Sequence, residues 1–102
     1  MIINSKKSIL TYKSNVPWKN IVIMAGIHGN EHSGILALQR IIQEGINLRK
    51  WKLTIIFANI HAIAQNIRFV DINMNRYFGK DWWHTYEGKR IQKIIEYLMI
   101  IL

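Results

Sequence analysis

The chain has 102 residues, half of them hydrophobic, with no cysteine and 14 Lys plus Arg against 6 Asp plus Glu, a formal net charge of +8. That size and composition predict one small domain over residues 1–102 that buries roughly two-thirds of its unfolded surface. They exclude disulfides, thiolate metal sites and a disordered chain, so any metal is held by His, Asp or Glu.

In chain order, Ser8 to Tyr12 is a plausible edge strand, and Asn15-Val16-Pro17 is a turn because Pro17 fixes its own φ and restricts Val16. Asn20 to Ala25 is a continuous, largely β-branched apolar run of the kind that suits a central parallel strand covered on both faces. Gly26-Ile27-His28-Gly29-Asn30-Glu31 then forms a glycine-flanked turn. From His32 to about Glu44, Ile35, Leu36, Leu38, Ile41 and Ile42 recur at helical spacing, and Gly45 is the stop. Lys52 to Ala58 is a second buried strand. Strand, helix, strand in sequence predicts a right-handed βαβ unit.

Asn59 to Gly79 carries neither period cleanly, which in a small domain marks either a functional segment or an element that the pattern hides. Glu87 to Leu102 returns to helical spacing through Ile91, Ile94, Ile95 and Leu98. The chain ends in the apolar run Leu98-Met99-Ile100-Ile101-Leu102, which reads as part of a larger domain. The fold class expected is α/β, with a partial mixed or parallel sheet and flanking helices.

The chemistry sits where the first apolar strand ends. His28 and Glu31 are three residues apart across a turn into a helix, and an imidazole beside a carboxylate suits Zn²⁺. Ligands in open α/β sheets bind outside the carboxyl ends of strands. The plain alternative is a polar turn in which Glu31 favours the helix start through the dipole. His32 reads as a helix-start residue rather than a ligand, and His61 and His84 as solvent-facing or loop-packed. Arg68, Asn75 and Arg76 fall in the irregular segment. Arg is the side chain best shaped to clamp a carboxylate bidentately, against the ordinary reading of a solvated basic loop.

Ala25-Gly26-Ile27-His28-Gly29-Asn30-Glu31 resembles the zinc motif of the succinylglutamate desuccinylase/aspartoacylase family, relatives of the zinc carboxypeptidases. Asn59, Ala62 and Arg68, followed by Met74-Asn75-Arg76-Tyr77-Phe78-Gly79, resemble its second motif at the expected spacing. Asn47 to Lys52 and the Met-Asn-Arg-x-Phe-Gly form are similar to the desuccinylase branch. The resemblance covers about residues 20 to 97.

It implies the N-terminal part of a zinc-carboxypeptidase-like (phosphorylase/hydrolase-like) domain, with one Zn²⁺ per complete site and His28 and Glu31 as two of three ligands. Arg68 would steady the developing oxyanion, and Arg68, Asn75 and Arg76 would bind the substrate. The reaction implied is hydrolysis of N-succinylglutamate to succinate and glutamate, in arginine catabolism. In that pattern the third ligand, a His in an Asp-x-His strand end, and the general-base Glu fall beyond residue 102.

Asn73 stands where the family usually has Asp, and Ile60 where Pro is common. Asp81-Trp82-Trp83-His84-Thr85 is a poor substitute for the third ligand, because it follows Phe78-Gly79 directly and precedes the helix. The isolated chain is expected to lack useful activity, and a second chain carrying the missing half is a candidate partner. A different acyl specificity, an inactive remnant, or a small basic nucleic-acid-binding protein supported only by the net charge, stays open.

No segment approaches the ~18 apolar residues of a membrane span, and the N-terminus is unlike a signal peptide. The cytoplasm is the expected location, with no membrane partner. No nucleic-acid partner is expected either. The basic residues are scattered, the longest runs being pairs such as Lys6-Lys7 and Arg49-Lys50, and aromatics do not interleave with them on a platform.

Overall fold

The computed structural model describes residues 7–78 and 82–101. Strand β1 (Ile9–Lys13) and strand β2 (Asn20–Ala25) precede helix α1 (His32–Glu44), strand β3 (Lys52–Phe57), helix α2 (Ile60–Gln65), a 3₁₀ turn at Met74–Arg76 and helix α3 (Tyr86–Ile101). The three strands make one mixed sheet in the order β1-β3-β2. β1 runs antiparallel to β3, and β2 runs parallel to it with Ile23 beside Ile55.

The expectation of a central strand at Asn20 to Ala25 is corrected here. β3 is the middle strand, and β2 is at an edge, with no described strand on its outer side. Ile21 and Ile23 are accordingly 39% and 40% exposed. An apolar run reports burial propensity, whereas strand order depends on which distant segment pairs with it.

Side chains alternate across β3, so its two faces build two cores. Ile55 and Phe57 pack with Ile35 and Leu38 of α1 and Ile60 of α2. Ile56 packs on the other face with Met74 and with Ile91 and Ile94 of α3, joined by Ala58 just past the strand. α1 and α3 thus cover opposite faces of the sheet, as βαβ chirality requires for the first of them. On the α3 face, Thr11 Oγ1 lies 2.7 Å from the Tyr97 hydroxyl and tethers the edge strand β1 to the helix.

α1 has the bounds read from its periodicity, and the Gly45 N–H closes it by bonding the Ile41 and Ile42 carbonyls. α3 starts one residue before the expected Glu87. Thr85 precedes it, and its hydroxyl accepts from the Gly88 N–H and donates to the Trp82 carbonyl.

The segment from Asn59, expected to be irregular, contains α2. Asn59 Oδ1 accepts from the Ala62 N–H to cap its start, and Asn66, in the left-handed region at φ 56°, ends it. Gly79 and Asp81 lie outside the described residues. No helix among the described residues is long and apolar enough to cross a membrane.

Candidate metal and carboxylate site

The strand ladder continues past β2 and β3, with the Ala58 N–H bonding the Ala25 carbonyl and the Asn59 N–H the Gly26 carbonyl. The turn after β2 therefore leaves the sheet beside the start of α2, and its glycines make that approach possible. Gly26 has φ 75°, and a Cβ there would lie 2.4 Å from the Ile63 side chain. A Cβ at Gly29 would lie 2.1 Å from the Ala62 carbonyl carbon. The Gly29 N–H bonds the Arg68 carbonyl at 3.2 Å, which brings the start of the 66–73 loop to the same turn.

His28 is 8% exposed and sits at the centre of this junction. Its Nδ1 is 3.1 Å from Glu31 Oε1, and its Nε2 is 2.8 Å from Asn73 Oδ1. Asn73 Oδ1 also accepts from the Asn75 backbone N–H at 3.3 Å, which turns the amide oxygen, not its NH₂, toward His28. Asn73 Oδ1 accepts a proton held on Nε2. Nδ1 is then left to carry a second proton or to offer its lone pair to a cation shared with the Glu31 carboxylate.

Two acceptors face each other at hydrogen-bond distance, an arrangement that requires a proton or a cation between them. With a proton there, the contact is an ion pair. With a cation there, the pair is the start of a ligand set, and a ring N–H held by an outer oxygen is the usual support of a metal-binding imidazole.

Glu31 is the N-cap residue of α1, yet its side chain makes no capping hydrogen bond. Its carboxylate turns to His28 and stays solvent-accessible, at 67% exposure of the side chain. It borders an open cleft of about 480 Å³ lined by Met24, Ala25, Gly26, Ile27, Ser33 and Gly34. Among the described residues no third His, Cys, Asp or Glu joins the pair. His32 begins α1 and its Nε2 contacts Asn66 Oδ1. His61 is stacked 4.3 Å from the Tyr86 ring, and His84 is exposed beside Trp82.

Asn75 and Arg76 lie in the 3₁₀ turn that Asn73 caps, and their side chains are exposed, as is that of Arg68. The structure thus joins His28, Glu31 and Asn73 by direct contact. Arg68, Asn75 and Arg76 are held on the adjoining backbone.

Sequence reasoning missed two buried ionic residues beneath this loop. The Glu87 carboxylate, fully buried at the start of α3, accepts from the N–H groups of Val70, Asp71 and Ile72 and from Asn59 Nδ2, at 2.7–3.1 Å. Asp71 Oδ2 accepts in return from the Tyr86 N–H. One turn on, Arg90 donates from Nε to the Ala58 carbonyl and from a terminal nitrogen to the Phe57 carbonyl.

Burial holds the Arg90 guanidinium below its ordinary range, with the nearby Tyr86 opposing the shift. The signal for both residues was a Glu and an Arg at i and i+3 on the helix face that also carries Ile91 and Ile94. Charges on an apolar face need buried partners.

A glycine turn at the end of a parallel strand thus carries an imidazole and a carboxylate in contact, with Arg68 and Arg76 on the adjoining backbone, in an α/β fold whose polar cluster lies at a strand's carboxyl end. The sequence model of the succinylglutamate desuccinylase/aspartoacylase catalytic domain matches residues 17–100, and the chain belongs to that family.

It is similar to the N-acyl-aromatic-L-amino acid amidohydrolase (carboxylate-forming) of Xenopus laevis, 30% identical over 78% of this chain and 29% of that protein. It is 41% identical to the succinylglutamate desuccinylase of Photorhabdus laumondii over 60% of this chain and 20% of that one. Among solved structures, the succinylglutamate desuccinylase of Vibrio cholerae aligns with a TM-score of 0.78 and 26% identity, over 93% of this chain and 30% of that one. That of Chromobacterium violaceum aligns at 0.79 and 22%, over 93% and 32%. The chain spans less than a third of the length of these relatives.

Proposed function

We propose that the chain is the N-terminal portion of a zinc-dependent amide hydrolase that cleaves a small acidic N-acyl amino acid, with N-succinylglutamate as the substrate. The observation that carries this reading is the contact of His28 Nδ1 with the Glu31 carboxylate, with the opposite ring nitrogen held by Asn73. His28 Nδ1 and the Glu31 carboxylate would hold Zn²⁺ from this chain. When bound, the ion polarises the scissile carbonyl and lowers the pKa of water in the site. Asn73 keeps the imidazole in its ligand tautomer. Arg68 supplies positive charge where the oxyanion develops, and Arg76 clamps a substrate carboxylate beside the Asn75 amide.

Two donors among the described residues are one short of a catalytic zinc site, and in this reading the third ligand and the general base come from a segment outside residues 1–102, in the same or a second chain. The chain alone then holds zinc weakly and does not turn over. A cytoplasmic location fits a soluble amino-acid substrate of this kind.

A second acyl specificity is favoured by one specific observation, the 30% identity to an amidohydrolase named for N-acyl aromatic substrates. Titrating the zinc-supplied chain with N-succinylglutamate, N-acetylaspartate and an N-acyl aromatic amino acid separates the readings. N-succinylglutamate is expected to bind most tightly, with that preference lost in Arg76→Ala. Preference for the aromatic substrate would move the assignment to the second reading. Rapid succinate release by the chain alone would contradict the two-ligand account.

A further inference from the structure

We infer that Glu87 is a positioning residue of the site: from α3, without touching it, the carboxylate sets where Asn73 meets His28. Val70, Asp71 and Ile72 are three successive backbone donors, and all three end on Glu87. The residue that follows them is Asn73. Each carboxylate oxygen carries two of the four bonds, with Val70 and Asn59 on Oε2 and Asp71 and Ile72 on Oε1. Asn59, the fourth donor, caps α2, the helix against which Gly29 is pressed. One buried anion therefore fixes both backbone segments that flank His28.

Among the described residues, no other tie on this loop has that reach. The remaining ties from residues 66–72 are the Asn66 and Ile67 N–H bonds back into α2, the Arg68 carbonyl to Gly29, the Asn66 amide to His32, and Asp71 Oδ2 to the Tyr86 N–H. The last of these joins the same two segments as Glu87 does, from the opposite direction. A backbone of three consecutive N–H groups pointing one way forms a nest for an anion, and here the chain supplies that anion itself. Glutamine at this position keeps the shape but offers one acceptor oxygen, and its NH₂ would face N–H donors.

The inference rests on the cation-site reading only for its zinc readout. The test compares the full chain with Glu87→Gln and with Ile94→Val. The valine variant weakens the core beneath α3 while leaving the loop bonds in place. In metal-free protein, ¹⁵N-edited imidazole spectra report whether the His28 Nε2–H is held in a hydrogen bond. The wild type is expected to show a protected Nε2–H, slow to exchange because Asn73 Oδ1 accepts it. Glu87→Gln is expected to lose that protection and to weaken zinc binding by about tenfold, the usual scale for a lost outer partner. Ile94→Val is expected to lower the unfolding midpoint and to leave the Nε2–H protection and the zinc affinity unchanged.

Should Glu87→Gln fail to fold, Asp71→Ser cuts the exposed tie to Tyr86 and is expected to move the His28 signals in the same direction. An unchanged His28 spectrum in both Glu87→Gln and Asp71→Ser would overturn the inference, and so would equal changes in Ile94→Val. If the wild type binds no zinc but its His28 signature still responds to Glu87→Gln, the cation reading fails and the positioning role stands.

Discussion

The turn after β2 and the loop after α2 deliver side chains to the same imidazole, and they are held by opposite means. The turn at 26–31 is local: two glycines admit close packing, and His28 meets Glu31 three residues away. The loop at 66–73 has little order of its own. It is shaped by a carboxylate 15 to 17 positions beyond the residues that bond it, and it reaches His28 across 45 residues of sequence. The half of the site made by one turn is set by steric fit. The half brought from elsewhere is set by buried hydrogen bonds.

Breaking the imported half is expected to cost most. Glu87→Ala strands four donors, three of them backbone, and should destabilise the fold by about 3–5 kcal/mol, as when one partner of a buried ionic network is removed. Urea unfolding followed by circular dichroism measures it. Breaking the local half comes next. Gly29→Ala drives a methyl group into the Ala62 carbonyl, and its expected cost is about 1–3 kcal/mol of overpacking with the turn displaced from α2. The same unfolding curves, together with loss of zinc binding, check it.

Where the two halves touch, stability should barely change and affinity should. Asn73→Asp replaces a neutral acceptor with an anionic one behind His28, and zinc binding is expected to tighten by about tenfold in calorimetric titration. Asn73→Leu is expected to weaken it by a similar factor.

The smallest effect concerns Tyr86, whose hydroxyl accepts from the His61 N–H at 3.2 Å. Burial raises its pKa above the ordinary 10.0, opposed by that hydrogen bond and by Arg90. The folded state therefore favours the neutral phenol. Its contribution is fully present below about pH 10 and is lost as the pH rises through the folded pKa. Unfolding midpoints measured from pH 9 to 12 should fall more steeply for the wild type than for Tyr86→Phe.

The same division explains what could be read from sequence. α1, β2, β3 and α3 were legible because each carries its period in its own residues. The His28–Glu31 contact was legible because spacing and glycines are local too. α2 was missed because its six residues give fewer than two turns, too few for a period, although Asn59 and Asn66 mark its ends. The edge position of β2 was missed because pairing partners are distant. Glu87 shows in the sequence only as the start of a helical segment, since its role depends on three N–H groups that no local pattern links to it. Asn73, which stands where the family usually has Asp, still offers its side-chain oxygen to His28.

The most direct measurement is a calorimetric zinc titration of the chain beside His28→Ala and Glu31→Gln. One ion per chain is expected for the wild type, with binding abolished by the first substitution and strongly weakened by the second. Equal zinc binding by all three proteins would contradict the meeting of these two side chains on one cation.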